Sequence, residues 1–286
     1  MNRCSHVLVP VNDMSHVSDL EGLCSCMMRI SAETEGRPAD WRMQHLSLVF
    51  AKLCATCISF LRLIPNSSFY APSKDIHLWD LSSAESLCRS LIEAYYILVY
   101  VGSDPSGEER VFCETLWEYH SAFERHEMLR VALPNSTRLS ETSAVLEKNR
   151  TKLQRMEEFR NLSSGHQQAL LEGKKFKLSS NIELTRKAGI SENYYRARYR
   201  YCSTFAHSSP FSISQLNVFR AGTPESEGVL ATLVATATGY TALAIRDFVR
   251  HVPDQEARLD ASITECIAIW QETLKWEKSD WFSGPD

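Results

Sequence analysis

Residues Ser83–Val101 read SAESLCRSLIEAYYILVYV, and this stretch decides the fold. Its apolar side chains, among them Leu87, Leu91, Ile92, Tyr95, Ile97, Leu98 and Val99, fall on nearly every side of a helical barrel. A helix of that kind has almost no face left for water and belongs at the centre of a bundle. Its exception is one polar stripe, Glu85, Arg89 and Glu93, spaced i, i+4, i+8 so that Arg89 can pair in either direction.

On the N-terminal side, Val17, Leu20, Leu23, Cys24, Met27 and Ile30 repeat at helical spacing until Gly36 and Pro38 stop them, which predicts a first helix over about 17–35 after a loose arm. Asp40 caps a second apolar-faced helix, WRMQHLSLVFAKLCATCISFLRLI, ending at Pro65. On the C-terminal side, helical periodicity resumes over Glu108–Val131. It continues in a more polar segment, Ser140–Leu162, whose thin apolar seam (Val145, Leu146, Leu153, Met156, Phe159) predicts a helix on the outside of the bundle. Ser180 with Glu183 reads as a capping box opening a short helix closed near Gly189. Ser191 caps the next helix, ENYYRARYRYCSTFAH, which a loop from Pro210 to Gly228 follows. The run VLATLVATATGYTALAI holds seventeen residues without a charge. A membrane span needs about 20 predominantly apolar residues, and four threonines and a glycine dilute this one, so it reads as a buried core helix. Ile263, Ile267, Trp270 and Leu274 place a closing helix over Ala257–Glu277. Nothing alternates with period two for long enough to form a sheet. The expectation is an all-α, multi-helix bundle of seven to nine helices, with residues 1–38 an N-terminal arm and helix and 39–286 a single all-helical domain.

Composition narrows the function. With 31 basic and 35 acidic residues the net charge is −4, which supplies no global field for nucleic acid or an anionic membrane, so any such binding is local. Nine cysteines, an odd number set mostly within apolar helical patterns, look like reduced thiols of the cytoplasm, and no signal-peptide pattern opens the chain. There is no G-x-G-x-x-G, Walker A, H-E-x-x-H, G-x-S-x-G or Glu-x-x-His, so no common cofactor or di-iron motif is present. Cys54-x-x-Cys57 and Cys24-x-Cys26 lack the further ligands a zinc site requires. The expectation is no cofactor, no metal and no membrane.

Two constellations remain. Arg89 and Glu93 sit in surroundings apolar enough to bury them, with a structural and a functional role equally open. Tyr195, Tyr199, Ser203 and His207 recur every four residues and so share one face of their helix, flanked by Arg196 and Arg200. They end in a histidine at a helix C-terminus, where the dipole favours a proton. Each is the polar member of a packing helix, so Arg89, Glu93, Tyr199, Ser203 and His207 are expected to converge on one polar pocket inside the bundle.

The run R-S-L-I-E at Arg89–Glu93, followed by Y-R-Y-C-S-T-F-A-H at Tyr199–His207, resembles a bacterial family of all-helical proteins catalogued as a domain of unknown function, over roughly Trp41–Val249. A looser similarity is to HEPN domains, helical nucleotide-binding and ribonuclease modules of toxin–antitoxin and phage-defence systems, whose hallmark is Arg, four to six residues, then His. Arg200 and His207 meet that spacing, with Tyr201 where the commoner form has a polar residue. The resemblance implies a metal-independent endoribonuclease with His207, Arg200 and Ser203 as catalytic residues and Arg89, Glu93, Tyr195 and Tyr199 as binding residues. RNA or a nucleotide would be the ligand, and a homodimer or another protein the partner. A non-catalytic ligand- or partner-binding protein (sensor, regulator or antitoxin) is the alternative. A third reading is a helix-turn-helix over Ile182–Tyr201, with Gly189 in the turn and Arg196, Arg198 and Arg200 on the second helix. The tyrosines of that helix commit it to packing and argue against it.

Overall fold

A computed structural model describes residues 15–65, 67–70, 80–103, 107–218 and 223–275. The described residues contain no strand and thirteen helices, more than the seven to nine the periodicity predicts. The surplus comes from short pieces: α6 (Glu157–Arg160), α10 (Pro210–Val218) and α12 (Pro253–Glu256), which give hydrophobic periodicity too little length to register, and α7 (Ser164–Leu171), the short helix within the stretch 163–179 that otherwise reads as a loop. Pro210–Gly228, read from sequence as a loop, contains all of α10 and the start of α11 (Pro224–Val249), which Thr223 opens with a capping box to Ser226. The remaining helices are α1 (Ser15–Thr34), α2 (Trp41–Leu61), α3 (Leu81–Gly102), α4 (Gly107–Ala132), α5 (Thr137–Arg155), α8 (Asn181–Ala188), α9 (Glu192–Ala206) and α13 (Ala261–Thr273).

The chain divides into two compact units, one formed by Met1–Gly102 with Asn181–Asp286 and the other by Ser103–Ser180. In the first, α3 packs against α2, α9, α11 and α8, the central place its sequence calls for, and α1 packs on α2, α11 and α13 within the same unit. Tyr95, Tyr96 and Tyr240 meet between α3 and α11, their rings 5.4–6.1 Å apart. Their hydroxyls are satisfied in place: Tyr95 donates to Asp247 at 2.8 Å, and Thr185 of α8 donates to Tyr96 at 2.9 Å. Asp40 caps α2 by accepting from the Met43 amide. Helices α2 and α11 are each long and apolar enough to cross a membrane by length and composition, and 72% of the apolar window of α11 is buried within the protein.

The second unit holds α4 to α7. The polar segment expected as one peripheral helix is broken at Met156, whose extended ψ of 140° separates α5 from α6, and its seam residues Leu146, Leu153 and Phe159 build a core with Phe112, Leu116 and Tyr119 of α4. Tyr119 donates to the Leu171 carbonyl at 2.6 Å and so ties α4 to the end of α7. Gly173 follows with φ of +66°, and a Cβ there would lie 2.2 Å from the Phe123 ring. Gly173→Ala therefore adds a left-handed-backbone penalty to an overpacked contact. The expected loss in this unit is about 2–4 kcal/mol by urea denaturation.

Candidate functional site

The face that α3 turns to α9 carries polar groups at two depths. Deepest is Glu85, fully buried, whose Oε2 accepts from Arg198 Nη2 at 3.4 Å and from the Cys202 thiol at 3.0 Å. Arg198 is 2% exposed; its Nε donates to Thr236 Oγ1 of α11 at 3.0 Å, where Tyr194 also donates at 2.9 Å. Burial works against the Arg198 charge, and the Glu85 carboxylate together with Cys202, Cys88 and Tyr194 outweighs it and holds its pKa well above the ordinary value. Burial pushes the Tyr194 hydroxyl up to about 12.

One turn further along α3 the polar groups reach the surface. Arg89 spreads its guanidinium over three partners: Nε donates to Glu93 Oε1 at 3.0 Å, Nη2 to the Tyr199 hydroxyl at 3.4 Å, and Nη1 meets His207 Nε2 at 3.1 Å. A guanidinium can only donate, so in this contact His207 Nε2 is the acceptor and the ring proton sits on Nδ1. Tyr199 closes the set by donating to Glu93 Oε1 at 2.8 Å, and its ring lies 5.3 Å from the Arg89 guanidinium carbon. Burial, then the hydrogen bond to Glu93, raises the Tyr199 pKa, so this phenol stays protonated. Burial likewise opposes the Arg89 charge, and Tyr199 and Glu93 together outweigh it.

The expected convergence thus occurs for Arg89, Glu93, Tyr199 and His207, with three corrections. The cluster lies at the surface and not inside the bundle, since the Arg89 and Glu93 side chains keep 21% and 45% of their exposure and His207 is exposed. Arg200 is exposed two turns before His207 along α9, and the cation that reaches His207 is Arg89 of α3. Ser203 turns its hydroxyl back to the Tyr199 carbonyl at 2.6 Å, and Tyr195 is buried against Tyr96, where it accepts from Asn181 at 3.0 Å. The spacing of four explains the divergence. Each step of four residues turns a helix by about 40°, so over twelve residues the ladder rotates by roughly 120°, from a buried Tyr195 to an exposed His207. Arg198, which the sequence reading placed only in the helix-turn-helix, belongs to the buried face Tyr194, Arg198, Cys202, Phe205, whose 4-4-3 spacing is its signal. Among the described residues no group of three or more His, Cys, Asp or Glu side chains is arranged to hold a metal ion.

His207 is held at Arg89 by a tight helix end. After it, Ser208 adopts a left-handed φ of +47°, with Ser208 N–H donating to the Phe205 carbonyl and Ser209 N–H to the Thr204 carbonyl, both at 3.1 Å. That pair of bonds is the Schellman arrangement, whose left-handed position glycine normally fills. Ser208→Gly is expected to stabilise the first unit by about 1 kcal/mol through relief of the Cβ clash, as read by thermal melting.

Residues 44–223 match a protein family described as a family of unknown function (DUF5677). No curated protein and no solved structure matches the chain.

Proposed function

Because the chain belongs to the DUF5677 family, whose function is unknown, we propose its function from the site itself: a metal-independent endoribonuclease, HEPN-like in its Arg and His chemistry. In this reading His207 Nε2 takes the proton of a ribose 2′-hydroxyl while Arg89 moves onto the phosphate and stabilises the charge that develops there. The observation that carries it is the 3.1 Å contact between Arg89 Nη1 and His207 Nε2, which pairs an exposed unprotonated imidazole nitrogen with a phosphate-binding fork. Arg89 takes over the phosphate from Arg200, and Tyr199 and Glu93 orient Arg89. A place in a bacterial defence or toxin–antitoxin system of the cytoplasm rests on the HEPN resemblance alone.

One observation favours the non-catalytic alternative: Nε, Nη1 and Nη2 of Arg89 each already have a protein partner, and Ser203 is turned back on its own helix. A site so internally satisfied suits a ligand- or partner-binding module. Helix-turn-helix DNA binding is disfavoured, because Tyr194, Tyr195 and Arg198 commit α9 to the core. The test is incubation of wild type and His207→Ala with total RNA in the presence of a chelator. Cleavage by wild type alone supports the enzyme; two folded, inactive proteins support the binding module.

A further inference from the structure

Helix α10 follows His207 directly and shows an unusual distribution of burial. Ser209 caps it by accepting from the Ser212 amide at 3.2 Å, and Ser212 is the residue it buries, whereas Phe211, Ile213 and Leu216 stay 44–53% exposed. We infer, resting on the ribonuclease reading, that Phe211 is a stacking platform for a nucleobase of a single-stranded RNA whose scissile phosphate sits at Arg89 and His207.

Position and rigidity both support this role. Phe211 lies four residues after His207, a stretch that spans at most about 14 Å when fully extended. Here it is folded, since Ser208 is left-handed and the Ser209 N–H returns to the Thr204 carbonyl, so the phenyl ring and the imidazole flank one turn. The imidazole is itself 3.1 Å from Arg89, which places a base next to the bound phosphate on the Phe211 side. The ring is also held in place. It meets Tyr201 in a T-shaped contact, 6.2 Å between centroids at 77°, and Tyr201 is braced by Phe205 at 5.2 Å and by the Arg198 guanidinium carbon at 5.3 Å. A ring fixed in this way, with 48% of its residue still exposed, loses little freedom when a base stacks on it.

Size and charge select the occupant. Half-exposed side chains of these three types together present on the order of 300 Å², well short of the roughly 800 Å² per partner that a stable protein interface covers. A second copy of the chain is therefore a poor fit, and a single flat base is a good one. The net charge of −4 supplies no long-range attraction for RNA, so affinity has to come from local contacts such as stacking. Bases in a duplex are already stacked on one another, which restricts the platform to single strands and loops. Aromatic platforms of this kind are worth about 5- to 150-fold in affinity per base and tolerate any sequence, because every base has a π face.

The test measures binding of the native full-length protein, by fluorescence anisotropy, to 2′-O-methyl oligoadenylate of about 12 nucleotides and to its abasic counterpart, neither of which carries the 2′-hydroxyl that cleavage needs. The expected result is that wild type binds the base-bearing strand at least about tenfold more tightly. Phe211→Ala, checked for folding by circular dichroism, should bind both strands alike, whereas Phe211→Trp should keep the preference. A Phe211→Ala protein that discriminates as wild type does, or a wild type that treats the two strands equally, would overturn the platform. So would a wild-type dimer that Phe211→Ala converts to monomer with strand binding unchanged, which would assign the face to a second copy. Either failure in a protein that cleaves RNA removes the platform and leaves the enzyme; a preference that depends on Phe211 in a protein that cleaves nothing leaves the platform and removes the enzyme.

Discussion

Replacing Arg198 with alanine is expected to lower the unfolding free energy of the first unit by about 3–5 kcal/mol. For a unit of this size that is a fall in Tm on the order of 10 °C. The reason is the burial of its partner: Glu85 has no exposure, and its second oxygen has no hydrogen-bond partner among the described residues, so loss of Arg198 strands a carboxylate in the core. Thr236 and Tyr194 lose their cationic neighbour in the same step. The paired replacement Glu85→Leu with Arg198→Met removes both charges at similar volume and should recover most of the loss. Urea melts followed by circular dichroism read both. An Arg198→Ala protein within about 1 kcal/mol of wild type, the range of an exposed pair, would mean that water reaches Glu85.

The second large effect falls on activity and spares stability. In the proposed site, His207→Ala removes the proton acceptor and Arg89→Ala the phosphate fork, and each should lower single-turnover RNA cleavage by about 10²–10⁴-fold. Arg89→Lys should not rescue, because one ammonium cannot serve Glu93, Tyr199 and His207 from the geometry of a planar fork. The double variant should be little worse than either single one, as for groups that act as a unit. Exposed pairs contribute only about 0–1 kcal/mol, so melting should be almost unchanged. Arg200→Ala, two turns from His207 along α9, should keep nearly full activity. A large loss in Arg200→Ala with full activity in Arg89→Ala would return the phosphate role to Arg200.

The contrast between these two arginines marks what could be read from the chain. The all-α class and the central position of α3 were legible, because twelve buried side chains on one 22-residue helix leave a pattern that only a bundle interior fits. The pairing of α3 with α9 was legible in outline, since each helix carries polar residues that need partners. Depth was not. A repeat of four drifts around a helix, so Glu85 and Glu93 differ by about 80° in direction, and one is sealed in the core while the other is half exposed. The same drift carried Tyr195 inward and His207 outward. Arg198 was hidden because a fully buried arginine looks in sequence like one more basic residue on an Arg-rich helix, and only its Glu85 partner on α3, 113 positions away, distinguishes it. The division of the chain at Ser103 and Ser180 left no compositional mark, since α4 to α7 repeat the helical periodicity of their surroundings.

The most direct measurement compares an RNA oligonucleotide with its 2′-deoxy counterpart, each incubated with wild-type protein in excess chelator. A His207 base that activates a ribose hydroxyl predicts cleavage of the RNA alone, with 2′,3′-cyclic phosphate ends on the products. Intact RNA, or equal cleavage of the deoxy strand, would contradict it.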